Sequence, residues 1–397
     1  MSQSSPTEPN ATRLSLLYAV VFVEIGIAMP FMPVWLKALG LDARIIGALL
    51  ALPIAMKIIA TAPLVGLIDR GVAARRLLLV GSVAVAATYA LMPAGAAIGW
   101  PILAVLVAVN AAAGAPLVPT IDYLTLAAVR HSKRLDYARI RMAGSIGFLI
   151  ASLLGGAALS AMGERLAVPV LLTGLALVAA ATIFASPVEA HVAQPRIAPG
   201  TRPKLPRVLW LCIGAQATIQ ASHAATYAFG SIHWQASGIS SSWIGVLWAT
   251  GVAAEIVFFA TVGRWPAHWR TPFRLIGLGA AASLIRVVGL SLIGGELVPA
   301  LFLQTLHAFS FGATQLGAMT AISAFAPDGA RGRAQGMSSA VNACASASAT
   351  ILCGVAYQAG GGSLAFALMA PLALSGLCLV SLSARAATLA PFTPPRL

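Results

Sequence analysis

Charged side chains are scarce, at 9% of 397 residues, where soluble globular domains carry roughly 25%. Acids are the scarcer sign, with 11 Asp and Glu beside 25 Lys and Arg. With 59% hydrophobic residues and a mean hydropathy of +0.89, this excludes a soluble fold. The chain has only four cysteines. Cys212, Cys344, Cys353 and Cys378 all fall in apolar runs without a metal-ligand spacing, and read as small packing residues. A Gly-x4-Gly-Lys-Ser/Thr phosphate loop is missing, which argues against an ATP-driven pump. A His-Glu-x2-His zinc signature is missing too. No polar stretch is long enough for a soluble catalytic domain, so neither an enzyme activity, a metal nor a cofactor is expected. Residues 1–13 lack the basic segment and cleavage site of a signal peptide, so the first apolar run is expected to stay as the insertion signal.

What is present is a series of apolar runs, each near the ~20 residues that a membrane-spanning helix needs. Twelve spans are expected, near 14–36, 44–68, 76–97, 101–127, 138–161, 166–186, 207–232, 241–263, 273–293, 298–325, 334–358 and 364–384. The fold class is therefore an all-α integral membrane protein. A net charge of +14 would suggest nucleic acid in a soluble protein; here it follows the loops. With the N-terminus in the cytoplasm, 20 of the 25 Lys and Arg fall on that side, among them Arg70, Arg75, Arg76, Arg130, Lys133, Arg134, Arg202, Lys204, Arg264, Arg270 and Arg331. Lys37, Arg44 and Arg165 fall outside, and Lys57 and Arg286 within spans. That bias is the positive-inside pattern. It puts both termini in the cytoplasm of a multi-pass inner-membrane protein and leaves no role for nucleic acid; the expected partners are lipid, protons and a small solute, and the expected working unit is a monomer.

The two halves of the chain echo one another. Glu24 precedes Trp35 by eleven residues and His223 precedes Trp234 by eleven. Gly40 and Gly238 follow, then Gly47 and Gly245 seven further on, then Lys57 and Glu255 ten beyond those. A weaker echo matches Arg139 with Arg333. The spacing implies a duplication into six plus six helices, with bundles at 1–186 and 207–397 joined by a basic, Pro-rich cytoplasmic linker at 187–206. Parallel repeats of this kind place the substrate site between the halves, near the bilayer midplane.

Six ionisable side chains lie deep in the spans: Glu24, Lys57, His223, Glu255, Arg286 and His307. At ~2.5–3.5 kcal/mol each on insertion scales, such groups face partners or a wet cavity. Depth permits two ion pairs, Glu24–Lys57 and Glu255–Arg286. Each serves either as a structural bridge or as part of a transport path. Polar stripes run along the seventh span (Gln216, Gln220, His223, Tyr227), the tenth (Gln304, His307, Phe311, Gln315) and the eleventh (Ser338, Asn342, Ser346), spaced to share one helix face. They either line water or pack on neighbouring helices. Trp248 shares a face with Glu255, while the other tryptophans except Trp243 sit at span ends, as an aromatic belt does. Asp122, Arg139 and Arg141 form a gate or half-site near the cytoplasm, or else a topological charge cluster; the two arginines stand two apart and point to different faces.

The segments "FMPVWLKALGL", "DYARIRMAGSIGF", "SHAATYAFGSIHWQASG" and "QTLHAFSFGATQLGAM", with Glu255 in "GVAAEIVFF" and Arg286 in "SLIRVVG", resemble the phenylpropionate permease group of the major facilitator superfamily, relatives of the lactose permease. The resemblance spans nearly the whole chain. It implies the major facilitator fold and a proton symporter working by alternating access, with an aromatic monocarboxylate such as 3-phenylpropionate as solute. Proton coupling would fall to Glu255, Arg286, His307 and His223. Substrate contacts would fall to Glu24, Lys57, Gln220, Tyr227, Trp248, Phe311, Gln315 and Asn342, and gating to Asp122, Arg139 and Arg141. Thr226 and Gln315 depart from the group's tendencies at cavity-candidate positions. The alternatives are a sugar or nucleoside proton symporter and a proton-antiport drug exporter.

Overall fold

Lipid offers a backbone no hydrogen-bond partners, so a chain this apolar has to close its amide bonds within helices. The computed structural model describes residues 11–132, 135–186, 204–327 and 330–389, and among these it is nearly all helix, without a strand. Lys133, Arg134, Arg202 and all but the last three residues of the expected linker lie outside the described residues. The first half comprises α1 (Ala11–Ala38), α2 (Ala43–Asp69), α3 (Ala74–Ile98), α4 (Trp100–Gly114), α5 (Leu117–His131), α6 (Tyr137–Met162) and α7 (Glu164–Ala185). The second comprises α8 (Arg207–Ala221), α9 (Ser231–Ala236), α10 (Ser241–Thr261), α11 (Pro272–Ile293), α12 (Leu297–Thr305), α13 (Thr314–Phe325), α14 (Arg331–Ala367) and α15 (Ala370–Leu389). Two π-helical segments, Thr226–Gly230 and Ala308–Ala313, interrupt the seventh and tenth expected spans.

Ten described stretches are long and apolar enough to cross a membrane, where twelve are expected. One of them, Arg331–Thr388, holds 58 residues. Straight, it would reach about 87 Å at 1.5 Å per residue, against a bilayer core of ~30 Å. It breaks at Gly360 and Gly361, the latter at φ +66°, and α14 ends shortly after. The stretch 207–236, which carries Gln216, Gln220, Ser222 and His223, is not among the ten; a turn after Ala221 and the π-helical segment divide it into short helices.

Polarity is arranged inside out. Large apolar side chains such as Ile98, Leu154, Leu292, Val298 and Phe302 face outward, while Gln216, Gln220, His223, Arg286 and Gln304 are buried. Helix ends are tied by side chains. Asp42 accepts from the Ile45 amide at 2.9 Å and Asp136 from the Arg139 amide at 2.8 Å. Arg165 Nε donates to the Ala38 carbonyl at 2.8 Å, and Arg75 donates to the carbonyls of Ile183 and Phe184. Both arginines thus sit at the negative end of a helix dipole, where a cation is favoured.

Within the first half α1 packs on α6 and α7, and α3 on α4 and α7; in the second, α8 packs on α14 and α15, and α11 on α13 and α15. The halves meet where α2 crosses α14 and α10 crosses α6. The glycines paired by the sequence echo recur here in matched roles. Gly40 and Gly238 both turn the chain at φ +85°. Gly47 lies against Gly354, and Gly245 against the Ser152 carbonyl, so closely that a Cβ on either glycine would collide. The Ala43 amide donates to Gln358 Oε1 at 3.0 Å, the hydroxyls of Ser160 and Ser242 bond at 2.9 Å, and Gln235 Nε2 donates to Glu164 Oε1 at 2.6 Å. All of these contacts lie at the charge-poor end of the bundle, which is closed.

Candidate functional site

Between the halves lies a cavity of about 220 Å³. The first half supplies Phe22, Ile25 and Met29 from α1, and Arg141, Ser145 and Phe148 from α6. The second supplies Tyr227 from the first π-helical segment and Trp248, Gly251, Val252 and Glu255 from α10. Arg286 of α11, Gln304 of α12, His307 and Phe311 complete the lining. Both π-helical segments therefore reach the cavity, in keeping with the frequent appearance of π-bulges at functional sites. Aromatic rings make one wall: Tyr227 stacks on Trp248 with centroids 6.0 Å apart, and His307 on Phe311 at 5.2 Å. Trp248 Nε1 donates to Ser231 Oγ at 2.9 Å, which fixes the indole.

The charges in this cavity are partnered unequally. Glu255 Oε2 lies 3.7 Å from His307 Nε2. Arg286 is 3% exposed and gives Nη2 to the Gln304 amide oxygen at 2.5 Å, while its buried Nε has no partner. Among the described residues no carboxylate lies within 4 Å of it. Arg141 lays its guanidinium over the Phe22 ring at 4.1 Å and the Tyr18 ring at 5.3 Å. Behind the wall, His223 Nδ1 lies 3.0 Å from the Ile219 carbonyl and Nε2 lies 2.9 Å from Ser310 Oγ. A carbonyl only accepts, so Nδ1 carries the proton and in the neutral ring Nε2 accepts from the serine.

A family model described as the MFS_1 like family matches residues 11–368. The chain belongs to the MFS_1 like family. That family is one of membrane transporters, not of enzymes. This MFS_1 like protein is 32% identical, over 253 residues, to the probable 3-phenylpropionic acid transporter of Escherichia coli (strain K12). The matched part is 62% of this chain and 65% of that relative, just under two thirds of its length. In fold it is similar to the nucleoside transporter NupG, with a TM-score of 0.77 at 16% identity over 95% of this chain and 98% of the other. It is likewise similar to the peptide transporter POT in complex with sulfate, with a TM-score of 0.74 at 16% identity over 95% of each chain. These likenesses show the major facilitator fold.

The MFS_1 like chain gathers Tyr227, Trp248, Glu255, Arg286, His307, Phe311 and Arg141 around one cavity. Two ion pairs expected from depth are replaced by other contacts. Glu255 meets His307 instead of Arg286, because Arg286 is held at the level of Leu247: its partner Gln304 donates Nε2 to the Leu247 carbonyl at 3.0 Å. Leu247 precedes Glu255 by eight residues, about 12 Å along α10. Glu24 accepts from the Tyr89 hydroxyl of α3 at 2.6 Å, and Lys57 acts on it only across a gap. Lys57 itself is exposed.

The remaining expected site residues lie off the cavity lining. Gln315 accepts from Gln216 Nε2 at 3.0 Å, and Gln216 in turn accepts from Ser338 at 2.5 Å, a network that joins three helices. Gln220 is buried, and Asn342 Oδ1 is buried without a partner. Asp122 accepts from the hydroxyls of Tyr18 at 2.5 Å and Tyr137 at 2.9 Å. Arg139 is exposed on the opposite face of α6 from Arg141. Sequence reasoning passed over Tyr89, Ser310, Phe22, Ser145 and the anchoring role of Gln304. Of these only Gln304 carried a signal, its place in the polar stripe of the tenth span.

Proposed function

We propose that this protein is a proton-coupled symporter of an aromatic monocarboxylate, of which 3-phenylpropionate is the leading candidate. The observation that carries it is Arg286. A buried guanidinium bonded only to a neutral amide is an uncompensated charge, and leaving one so costs several kcal/mol, on the order of 3–5 when a partner is removed. A carboxylate arriving in the cavity supplies the missing charge partner to the guanidinium that lines it. The aromatic wall of Tyr227, Trp248 and Phe311 covers a ring. A volume of about 220 Å³ lies below the ~300–1,000 Å³ of sites for drug-sized ligands, which favours a one-ring solute. The name of the Escherichia coli relative points to the same class of substrate.

Coupling follows from the second acid–base pair. Glu255 and His307 share a wall of the same cavity and can hold a proton between them while Arg286 holds the anion. Proton and carboxylate then cross together with no net charge change. With both termini in the cytoplasm, the closed charge-poor end faces outward and this state receives from, or releases to, the inside. In this scheme Asp122 and Arg141 sit on the inner path, Arg141 as a second cation for the anion during release.

The test is to reconstitute the protein in unenergised liposomes and record internal pH while adding 3-phenylpropionate, cinnamate, lactose and a nucleoside in turn. Carrier-dependent acidification with the aromatic acids, beyond that of protein-free vesicles, is the expected result. Acidification with lactose or the nucleoside alone would move the function to a neutral-solute symporter. Silence for all four from folded protein would overturn the symport proposal.

A further inference from the structure

Gln304 is the least conspicuous member of the cavity and has the most constrained chemistry. Its side chain is 2% exposed. Nε2 donates to the Leu247 carbonyl at 3.0 Å and Oε1 accepts from Arg286 Nη2 at 2.5 Å. A carbonyl oxygen cannot donate and a guanidinium cannot accept, so each neighbour dictates one end of the amide. The amide is oriented by its surroundings, with no freedom to flip. It spans α10 and α11 from a third helix, α12, and so it fixes the guanidinium relative to the aromatic wall on α10.

We infer that Gln304 is the positioning residue that holds Arg286 as a cation without a counter-ion, and that it thereby makes the cavity select an anion over its neutral analogue. This rests on the reading that the cavity takes an organic anion. The physical point is the neutrality of the clamp. A carboxylate at this position would hold Arg286 equally well but would cancel its charge and compete with any arriving anion. A hydrocarbon would leave the charge intact, yet it would leave the Leu247 carbonyl and the Arg286 Nη2 without partners and let the guanidinium swing. Only a neutral group with a donor and an acceptor at the right reach satisfies both neighbours and leaves the positive charge uncancelled.

The test compares 3-phenylpropionate with its neutral analogue 3-phenylpropionamide, by direct binding to the purified full-length protein in nanodiscs. Wild type should prefer the acid. Gln304→Glu should weaken binding of the acid about 100-fold or more, the scale on which truncating a partner of a buried charge pair weakens binding, while the amide is bound as before. Gln304→Met should erode the preference about tenfold, the size of one lost charge-assisted hydrogen bond. Either loss should vanish in an Arg286→Gln background, because the residue acts through the arginine. In transport, both variants should raise KM for the acid more than they lower the maximal rate.

If Gln304→Glu keeps the preference for the acid, or loses acid and amide alike, the inference is overturned. A folded wild type that binds neither ligand would sink the aromatic-acid reading instead. The clamp is then decided by melting temperatures of Gln304→Met, Arg286→Gln and the double variant. A double variant no less stable than the worse single one keeps it, and additive losses remove it.

Discussion

At the scale of single residues, the cavity separates two tasks that depth alone could not separate. Glu255 faces a histidine and Arg286 faces an amide, so the acid proposed to move a proton and the cation proposed to hold an anion are not bound to each other. Replacing Glu255 by Gln should leave counterflow exchange of 3-phenylpropionate within about threefold of wild type and abolish uphill accumulation driven by a pH gradient; accumulation that persists would remove Glu255 from the coupling. His223 behaves otherwise. Its ring is locked between a backbone carbonyl and Ser310, so Ser310→Ala should cost stability of the order of one buried hydrogen bond, ~1 kcal/mol, read as a lower unfolding midpoint with the proton:substrate ratio unchanged. The deep charges themselves were legible in the sequence because an ionisable group in an apolar run is conspicuous. Their partners were not. Tyr89 and Ser310 are common residues whose importance comes from meeting a neighbouring span, which no spacing along one helix records, and Gln304 showed only as a member of a polar stripe, not as the link between three helices.

At the scale of elements, the glycines carry the argument. The repeat of Gly40–Gly47 as Gly238–Gly245 was visible as spacing, and the structure shows its reason: one glycine turns the chain and the next allows two backbones to touch. Gly245→Ala puts a methyl group against the Ser152 carbonyl and should force α10 away from α6. The expected outcome is a shift of the population away from the closed charge-poor end. It is measured as loss of disulfide formation between cysteines placed at Ser160 and Ser242, whose hydroxyls bond at 2.9 Å here. Unchanged cross-linking would show that the crossing tolerates the added volume. What the sequence hid at this scale were the breaks. The π-helical segments Thr226–Gly230 and Ala308–Ala313 contain no proline, and apolar periodicity continues through them. The one-residue excess of a π-turn is set by packing around the cavity, not by local propensity.

At the scale of the whole molecule, apolarity led to a many-spanning helical membrane protein, and the described residues are nearly all helix, with ten stretches long and apolar enough to cross a bilayer. The count of spans was harder, since hydropathy cannot tell a long helix kinked at Gly360–Gly361 from two helices, nor a broken one from none. Orientation is open to a direct test. Cysteines introduced at Ser237 and His268 in a cysteine-free background should react with a membrane-impermeant maleimide from outside and only after lysis, respectively. The reverse pattern would invert the assignment of the charge-poor end to the exterior.

The closed end of the bundle has a consequence for what drives the cycle. It is sealed by glycine backbones, by a serine from each half and by two glutamines of the second half, with a single carboxylate among them. A seal of that composition gives ionic strength and membrane voltage almost nothing to act on. The signal to open it has to arrive as mechanical strain from the cavity, so under the proposed symport the occupancy of Arg286 and Glu255 would set the tempo of a door that carries hardly any charge of its own.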